Sequence, residues 1–339
     1  MTTTVAGPGP GRGDSRARFA SLLQQQGALI ALIVLVVFAT LRYGENFATG
    51  YNVQSLLADD AKYALVALGM TLVIMTGGID LSVGSVAALG GVTAAKLSGM
   101  GFVPATLTAV LVGAAVGSVN AVLITRFRLQ PFIVTLATLL AARGLALNVA
   151  DVKAAVADPS SGFQGLASWA LLGLPVSALA VFALYAVVAV VMKYTPFGRQ
   201  VLAVGGNEDA SRLMGLRVDR VKAAVYVLSG ALAGLAGAFL AAQSGSVATA
   251  AGQGWELSAI AAVVVGGTLL TGGVGSVMST LVGVLLLQLL FNLIIFENSK
   301  QVVTISAYWE SVIRGMFLLV VVLLQVRLVR GRQRTAAPT

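Results

Sequence analysis

Residues 70–86 read MTLVIMTGGIDLSVGSV, a strongly apolar run with Gly77, Gly78 and Asp80 at its centre. In a soluble protein the paired glycines and the aspartate would mark a surface turn. The rest of the chain argues otherwise. Of its 339 residues, 58% are hydrophobic and 10% are charged, with a mean hydropathy of +0.92. A soluble domain carries about 25% charged residues. This chain has too little polar surface to cover itself in water, and its expected class is an all-α polytopic membrane protein.

An aspartate at the centre of a membrane helix costs about 2.5–3.5 kcal/mol, and each Leu or Val returns about 0.3–0.6, so about six to ten apolar residues offset it. The segment inserts if Asp80 sits at a helix end, or faces protein or water rather than lipid. The glycines supply such an end. Gly77 and Gly78 can close one helix in a left-handed conformation. Asp80 can then cap the next, its carboxylate accepting N–H bonds from Ser82 or Val83, where the helix dipole favours negative charge. The expectation is a helix broken at Gly77–Asp80. Capping and lining a translocation path, as broken helices often do, are compatible roles. A helix end already complemented by Asp80 is not free for an anionic solute, which leans towards a neutral one.

Ten segments qualify as spans or near-spans: 22–41, 61–78, 82–97, 102–124, 131–150, 170–192, 223–243, 255–272, 274–296 and 307–326. The 82–97 and 255–272 segments are short, and a half-helix that dips in without crossing is open for both. With the N-terminus inside, fifteen of the 22 Lys and Arg residues face the cytoplasm, clustered at 12–18, 126–128, 193–222 and 327–334. Arg42, Lys62, Lys96, Lys153 and Lys300 fall outside or at the outer interface, and Arg143 and Arg314 lie within spans. The bias places both termini in the cytoplasm with an even number of spans. Residues 1–21 are expected to be a disordered basic tail leading into an uncleaved first span. Residues 22–327 form the membrane domain, and 328–339 a basic tail suited to orientation and anionic lipid. The net charge of +9 is read the same way, as membrane orientation rather than nucleic-acid binding.

Gly113-x-x-x-Gly117 and Gly230-x-x-x-Gly234 each put small residues on one face, either for close helix packing or because glycine is common in membrane helices. Pro131 stands where a helix can begin, and Pro175 either kinks or starts its helix. MTGGIDLSVGSV (75–86) and LTGGVGSV (270–277) share T-G-G and G-S-V, an echo expected of a two-halved transporter or of chance in a Gly/Val-rich chain. Arg143 either snorkels to the outer interface or lines the path with Asn148. Glu310 and Arg314 are spaced i, i+4 as a self-neutralised pair. With no cysteine and no histidine, thiolate catalysis, His acid–base chemistry and zinc sites are excluded. Neither a catalytic residue nor a metal or other cofactor is expected.

Residues 193–222 form the longest inside loop, and within it Asn207 is an N-cap candidate. Glu208 and Asp209 fill a first turn, Arg212 a last one, and Gly215 stands at C′. A helix of about two turns is marginal alone in water, so it needs a partner surface, and Leu213 and Met214 offer an apolar contact. The stretches GGIDLSVGS (77–85), FGRQVLAVGGNEDASRLMGL (197–216) and ELSAIAAVVVGGTLLTGGVG (256–275) resemble the permease subunits of bacterial ABC importers of the ribose/xylose/galactofuranose group. The resemblance runs over roughly 27–327 and is closest in wording to a galactofuranose-type permease. It implies residence in the bacterial inner membrane and an assembly with ATP-binding subunits, a soluble substrate-binding protein and a second permease copy or paralogue. It makes residues 207–215 a coupling helix, with Gly206, Asn207, Glu208, Ala210, Leu213, Met214 and Gly215 as contact candidates. Gly77, Gly78, Asp80, Ser82, Arg143 and Asn148 are the candidates for the break and path. The chain lacks G-x-x-x-x-G-K-[ST], so ATP must be held elsewhere. The expected function is a sugar permease that is not itself an enzyme. The alternatives are a permease for a non-sugar furanosyl-like solute, a proton-coupled transporter using Asp80, Arg143 and Glu310, and a membrane enzyme. The last two have few carboxylates and no histidine to work with.

Overall fold

The computed structural model describes residues 12–44, 47–165, 169–248 and 250–299, together with isolated helical positions at 309, 312, 313, 315, 316, 319 and 323. Among the described residues the chain forms eleven helices. They are α1 (Arg12–Tyr43), α2 (Gly50–Met75), α3 (Val83–Lys96), α4 (Phe102–Thr125), α5 (Pro131–Val149), α6 (Val176–Tyr194), α7 (Pro196–Gly206), α8 (Glu208–Leu213), α9 (Val218–Ser244), α10 (Trp255–Val265) and α11 (Val277–Ser299). Four two-residue strands make two short antiparallel ladders. Strand β1 (Ala155–Val156) pairs with β4 (Ser246–Val247), and β2 (Ala170–Leu171) with β3 (Leu174–Pro175). Five helices, α4, α5, α6, α9 and most of α11, are long and apolar enough to cross a membrane.

Lipid tails are as apolar as leucine, so apolar side chains gain nothing by leaving lipid for another helix. Association depends instead on how closely surfaces fit. The structure divides accordingly. Leu107, Leu111, Leu140, Val187 and Val190 of α4, α5 and α6 stay exposed, as lipid-facing residues do. The centre is made of small residues. Helix α9 carries Ser229, Gly230, Ala233, Gly234, Ala236 and Gly237, all buried, and packs against α2, α3 and α4. The inner half of α2 is buried from Ala64 to Met75.

The two Gly-x-x-x-Gly motifs meet each other. A β-carbon on Gly113 would overlap the Gly230 carbonyl oxygen, and one on Gly230 would overlap that of Gly113 and stand 2.9 Å from the Gly117 nitrogen. The backbones of α4 and α9 touch only because neither has a side chain there. Gly113→Leu is therefore expected to destabilise the chain by about 3 kcal/mol through overpacking. Thermal unfolding in detergent checks this, and an unchanged midpoint would refute the α4–α9 contact.

Most expected segments lie within a few residues of a helix, with informative exceptions. Helix α1 starts at Arg12, inside the stretch expected to be a disordered tail. The 170–192 segment opens with the β2–β3 hairpin, and Pro175 stands directly ahead of α6 rather than within it. Pro131 is at the first turn of α5, where it needs no donor. The short segments are indeed short: α3 has 14 residues and α10 only 11. The expected 255–272 helix ends at Val265 because a second break follows, in which Gly267, Gly272 and Gly273 all have positive φ. Helix α7 was not foreseen. It starts at Pro196 behind the extended Thr195 and buries Gly198, Val201 and Val204. The 307–326 span, including Glu310 and Arg314, lies largely outside the described residues.

The two breaks have mirrored arrangements. The long α2 is followed by a break and the short α3, whereas the short α10 is followed by a break and the long α11. The T-G-G triplets fall in these breaks and touch: a β-carbon on Gly272 would lie 2.7 Å from the Gly77 nitrogen.

Candidate functional site

The first break is built as the sequence implies. Helix α2 ends at Met75, and Gly77 takes φ +78, a left-handed value that disfavours side chains. The Gly77 and Gly78 N–H groups donate to the Ile74 and Val73 carbonyls. The chain then turns through Ile79 and Asp80 into α3. Asp80 is 0% exposed, so it faces neither lipid nor water. Its Oδ1 accepts from the Ser82 backbone N–H at 3.0 Å and from the Ser82 hydroxyl at 2.6 Å. Of the two expected donors, Ser82 rather than Val83 is the one used, because Ser82 and not Asp80 occupies the N-cap position of α3. Asp80 braces the turn one step earlier.

Its other oxygen was not legible in the sequence. Asp80 Oδ2 accepts from the Ser229 hydroxyl of α9 at 2.8 Å. Asn120 of α4 donates to the Ser82 hydroxyl oxygen at 3.1 Å. The Tyr226 hydroxyl of α9 sits against Gly78, where a β-carbon would overlap it. One carboxylate thus ties the broken helix to α9, and through Ser82 to α4. The available signal was an amide and a serine hydroxyl, Asn120 and Ser229, inside apolar spans, where polar groups are kept only with partners.

Arg143 is half-buried on α5 and donates from Nη1 to the Ala251 carbonyl, just ahead of α10. Glu256, in the first turn of α10, acts on it electrostatically. Asn148 is exposed. At 100° per residue it points about 140° away from Arg143, so the two side chains are not brought together. A narrow cleft between α2, α10 and α11 is instead lined by Tyr63, Trp255, Ser258 and Gln288, with the Tyr63 and Trp255 rings 5.0 Å apart. None of these four was singled out from the sequence, because they come from three separate segments that only the fold brings together.

The loop helix has the limits its residues encode. Asn207 Oδ1 accepts from the Ala210 N–H at 2.9 Å. At the other end Gly215 has φ +81. Its N–H donates to the Arg212 carbonyl, and the Leu216 N–H donates to that of Ser211, the paired closing bonds of a Schellman end. Glu208 accepts from Arg212 at 3.0 Å and from Lys222 of α9, and Arg212 also bonds Asp219 at 2.6 Å. Partial burial pushes the Glu208 carboxyl up, but the hydrogen bonds and charges of Lys222 and Arg212 outweigh it and hold the pKa below the ordinary value. A carboxylate held low contributes stability that is complete above its unfolded pKa and fades as pH falls through the folded one. The brace is therefore whole at neutral pH, although such part-exposed pairs are each worth only about 0–1 kcal/mol. Leu213 and Met214 are 89% and 82% exposed, a pair of large apolar side chains left uncovered on a two-turn helix.

Between this helix and the breaks stands Gly205, at the end of α7. A β-carbon there would overlap the Met75 carbonyl oxygen and lie 2.5 Å from the Gly273 nitrogen. The Gly273 N–H donates to that same Met75 oxygen at 3.1 Å. Gly206 in turn lies against Gly273, whose β-carbon would come within 2.7 Å of the Gly206 Cα. The lead-in to the loop helix is thus wedged against both helix breaks.

A bundle of apolar helices interrupted by two glycine-containing breaks, with a short polar loop helix that leaves Leu213 and Met214 uncovered, defines a multi-pass membrane protein. The chain belongs to the family described as branched-chain amino acid transport system / permease component, whose profile matches residues 52–322. It is 38% identical over 314 residues to the ribose import permease protein RbsC of Bacillus subtilis (strain 168), covering 92% of this chain and 95% of that one. It is 34% identical over 340 residues to the fructose import permease protein FruG of Bifidobacterium longum (strain NCC 2705), covering 96% and 97%. It is also 34% identical over 330 residues to the L-arabinose transport system permease protein AraH of Escherichia coli (strain K12), covering 95% and 96%. No solved structure matches the chain significantly. With the five apolar helices, this membership makes the chain a multi-pass permease of the bacterial inner membrane.

Proposed function

We propose that the chain is the membrane subunit of an ATP-driven ABC importer and forms part of the translocation path for a neutral monosaccharide. One observation carries the coupling: a capped helix with two uncovered apolar side chains, whose lead-in is wedged between two helix breaks. In this reading Leu213 and Met214 enter a groove of a partner ATPase, and both chain termini lie on that cytoplasmic side. A soluble binding protein delivers substrate from the other side. A second permease copy or paralogue completes the path. Movement of the ATPase displaces α8 and, through Gly205, the two breaks, which alternately open the path. The sugar assignment draws on relatives named for ribose, fructose and L-arabinose. The neutral character agrees with Asp80, whose carboxylate occupies the turn ahead of α3 and would repel an anion there.

The test is uptake of labelled sugar in cells that also express the neighbouring ATPase and binding protein, with and without a protonophore at maintained ATP. A Glu208→Lys, Leu213→Asp double variant is expected to reach the membrane, lose the ATPase in pull-down and take up no sugar above background, while wild-type uptake resists the protonophore. Uptake that collapses with the protonophore and ignores the loop variant would replace this reading with proton coupling.

A further inference from the structure

At the end of the bundle remote from α8, a cavity of about 490 Å³ opens between the start of α2, Gln164 and Gly165, the β2–β3 hairpin with the adjoining Trp169, and the end of α9. Sites for small molecules occupy roughly 300–1,000 Å³. The lining is polar and aromatic rather than lipid-like: Asp59, Gln54, Gln164, Gln243, Tyr51 and Trp169. Several of the polar groups are held in place. Gln54 Nε2 donates to the Gly173 carbonyl at 3.0 Å. Lys62 Nζ donates to Asp59 Oδ1 at 2.9 Å and to Gln243 Oε1 at 3.4 Å, and Gln243 Nε2 donates to the Ala58 carbonyl.

The Asp59–Lys62 pair neutralises itself, so the wall favours neither a cation nor an anion. Tyr51 and Trp169 are 83% and 68% exposed, leaving ring faces open for stacking. Flat apolar faces beside fixed amides and a carboxylate match a ligand with C–H faces and hydroxyls around its edge. Aromatic rings also anchor proteins at membrane interfaces, but an anchor has no need to share a cavity with a carboxylate and three amides. We propose that this cavity is a binding site for a neutral polyhydroxylated ring, a monosaccharide, at the mouth where substrate enters. The proposal rests on the importer reading and adds to it a place where substrate is held before passage.

The test uses the permease–ATPase complex purified without its soluble binding protein, in equilibrium dialysis with labelled D-ribose, L-arabinose and D-fructose. Saturable binding of at least one sugar is expected, weakened about tenfold by Trp169→Ala and also weakened by Gln164→Ala, with both variant complexes intact on gel filtration. A wild-type complex that binds none of the three, or variants that bind as wild type does, would overturn the proposal. Uptake by the complete system separates the two claims. Uptake by wild type, together with variants that bind unchanged in dialysis, leaves the importer and removes the cavity. A complete system that accumulates none of the sugars removes both.

Discussion

Gly205→Val is expected to bring sugar uptake down to background while the chain still reaches the membrane. The substitution strikes both helix breaks at once from outside them. The added side chain would be forced into the Met75 carbonyl and the Gly273 backbone, and backbone cannot swing aside as the tip of a side chain can. The direct cost of such overpacking is about 1–3 kcal/mol, which a bundle with this much buried helix can absorb. The functional cost is larger, because relief comes only by moving α7 off the breaks, and that contact is the proposed transmission. Gly144→Ala provides the control, since nothing lies within 4 Å of a β-carbon there. Uptake assays with membrane fractions quantified in parallel decide the matter. Normal uptake by the Gly205→Val chain would show that the wedge transmits nothing.

Asp80→Ala is expected to lower stability by about 3 kcal/mol, since three donors lose their acceptor inside a buried site. These are the Ser82 N–H, the Ser82 hydroxyl and the Ser229 hydroxyl. Ser229→Ala removes one hydroxyl and leaves the turn intact, so about 1 kcal/mol is expected. Asp80→Asn keeps one acceptor oxygen and should fall between the two. Thermal unfolding in detergent orders the three variants. An Asp80→Ala chain as stable as wild type would mean that the carboxylate braces nothing.

These two predictions draw on different kinds of information. That a break exists at Gly77–Asp80 was legible, because the signals are local: two glycines, a short polar side chain and the cost of a charge in lipid. The loop helix was legible for the same reason, since Asn207 and Gly215 act on backbone within four residues of themselves. The second break was half-legible. The T-G-G triplet repeats that of the first stretch, but the 255–272 segment reads as a short span or half-helix with no break within it. Its glycines leave helical geometry where Gly273 finds the Met75 carbonyl. Helix α7 was missed because it lies between a span and the loop helix, in the inside loop 193–222 where only the Asn207–Gly215 helix was marked by caps.

The sequence by itself determined the membrane class, the approximate segments, the first break and the limits of the loop helix. Each follows from composition or from contacts between near neighbours in the chain. Only the tertiary structure decided that Gly113 meets Gly230, that Asp80 binds a serine 149 residues away, and that Gly205 stands between both breaks. Lipid does not drive apolar faces together, so hydrophobic pattern leaves the choice of partner open. Which helices touch is settled by where backbones can approach and where buried polar groups find one another, and both depend on surfaces that exist only once the bundle has formed.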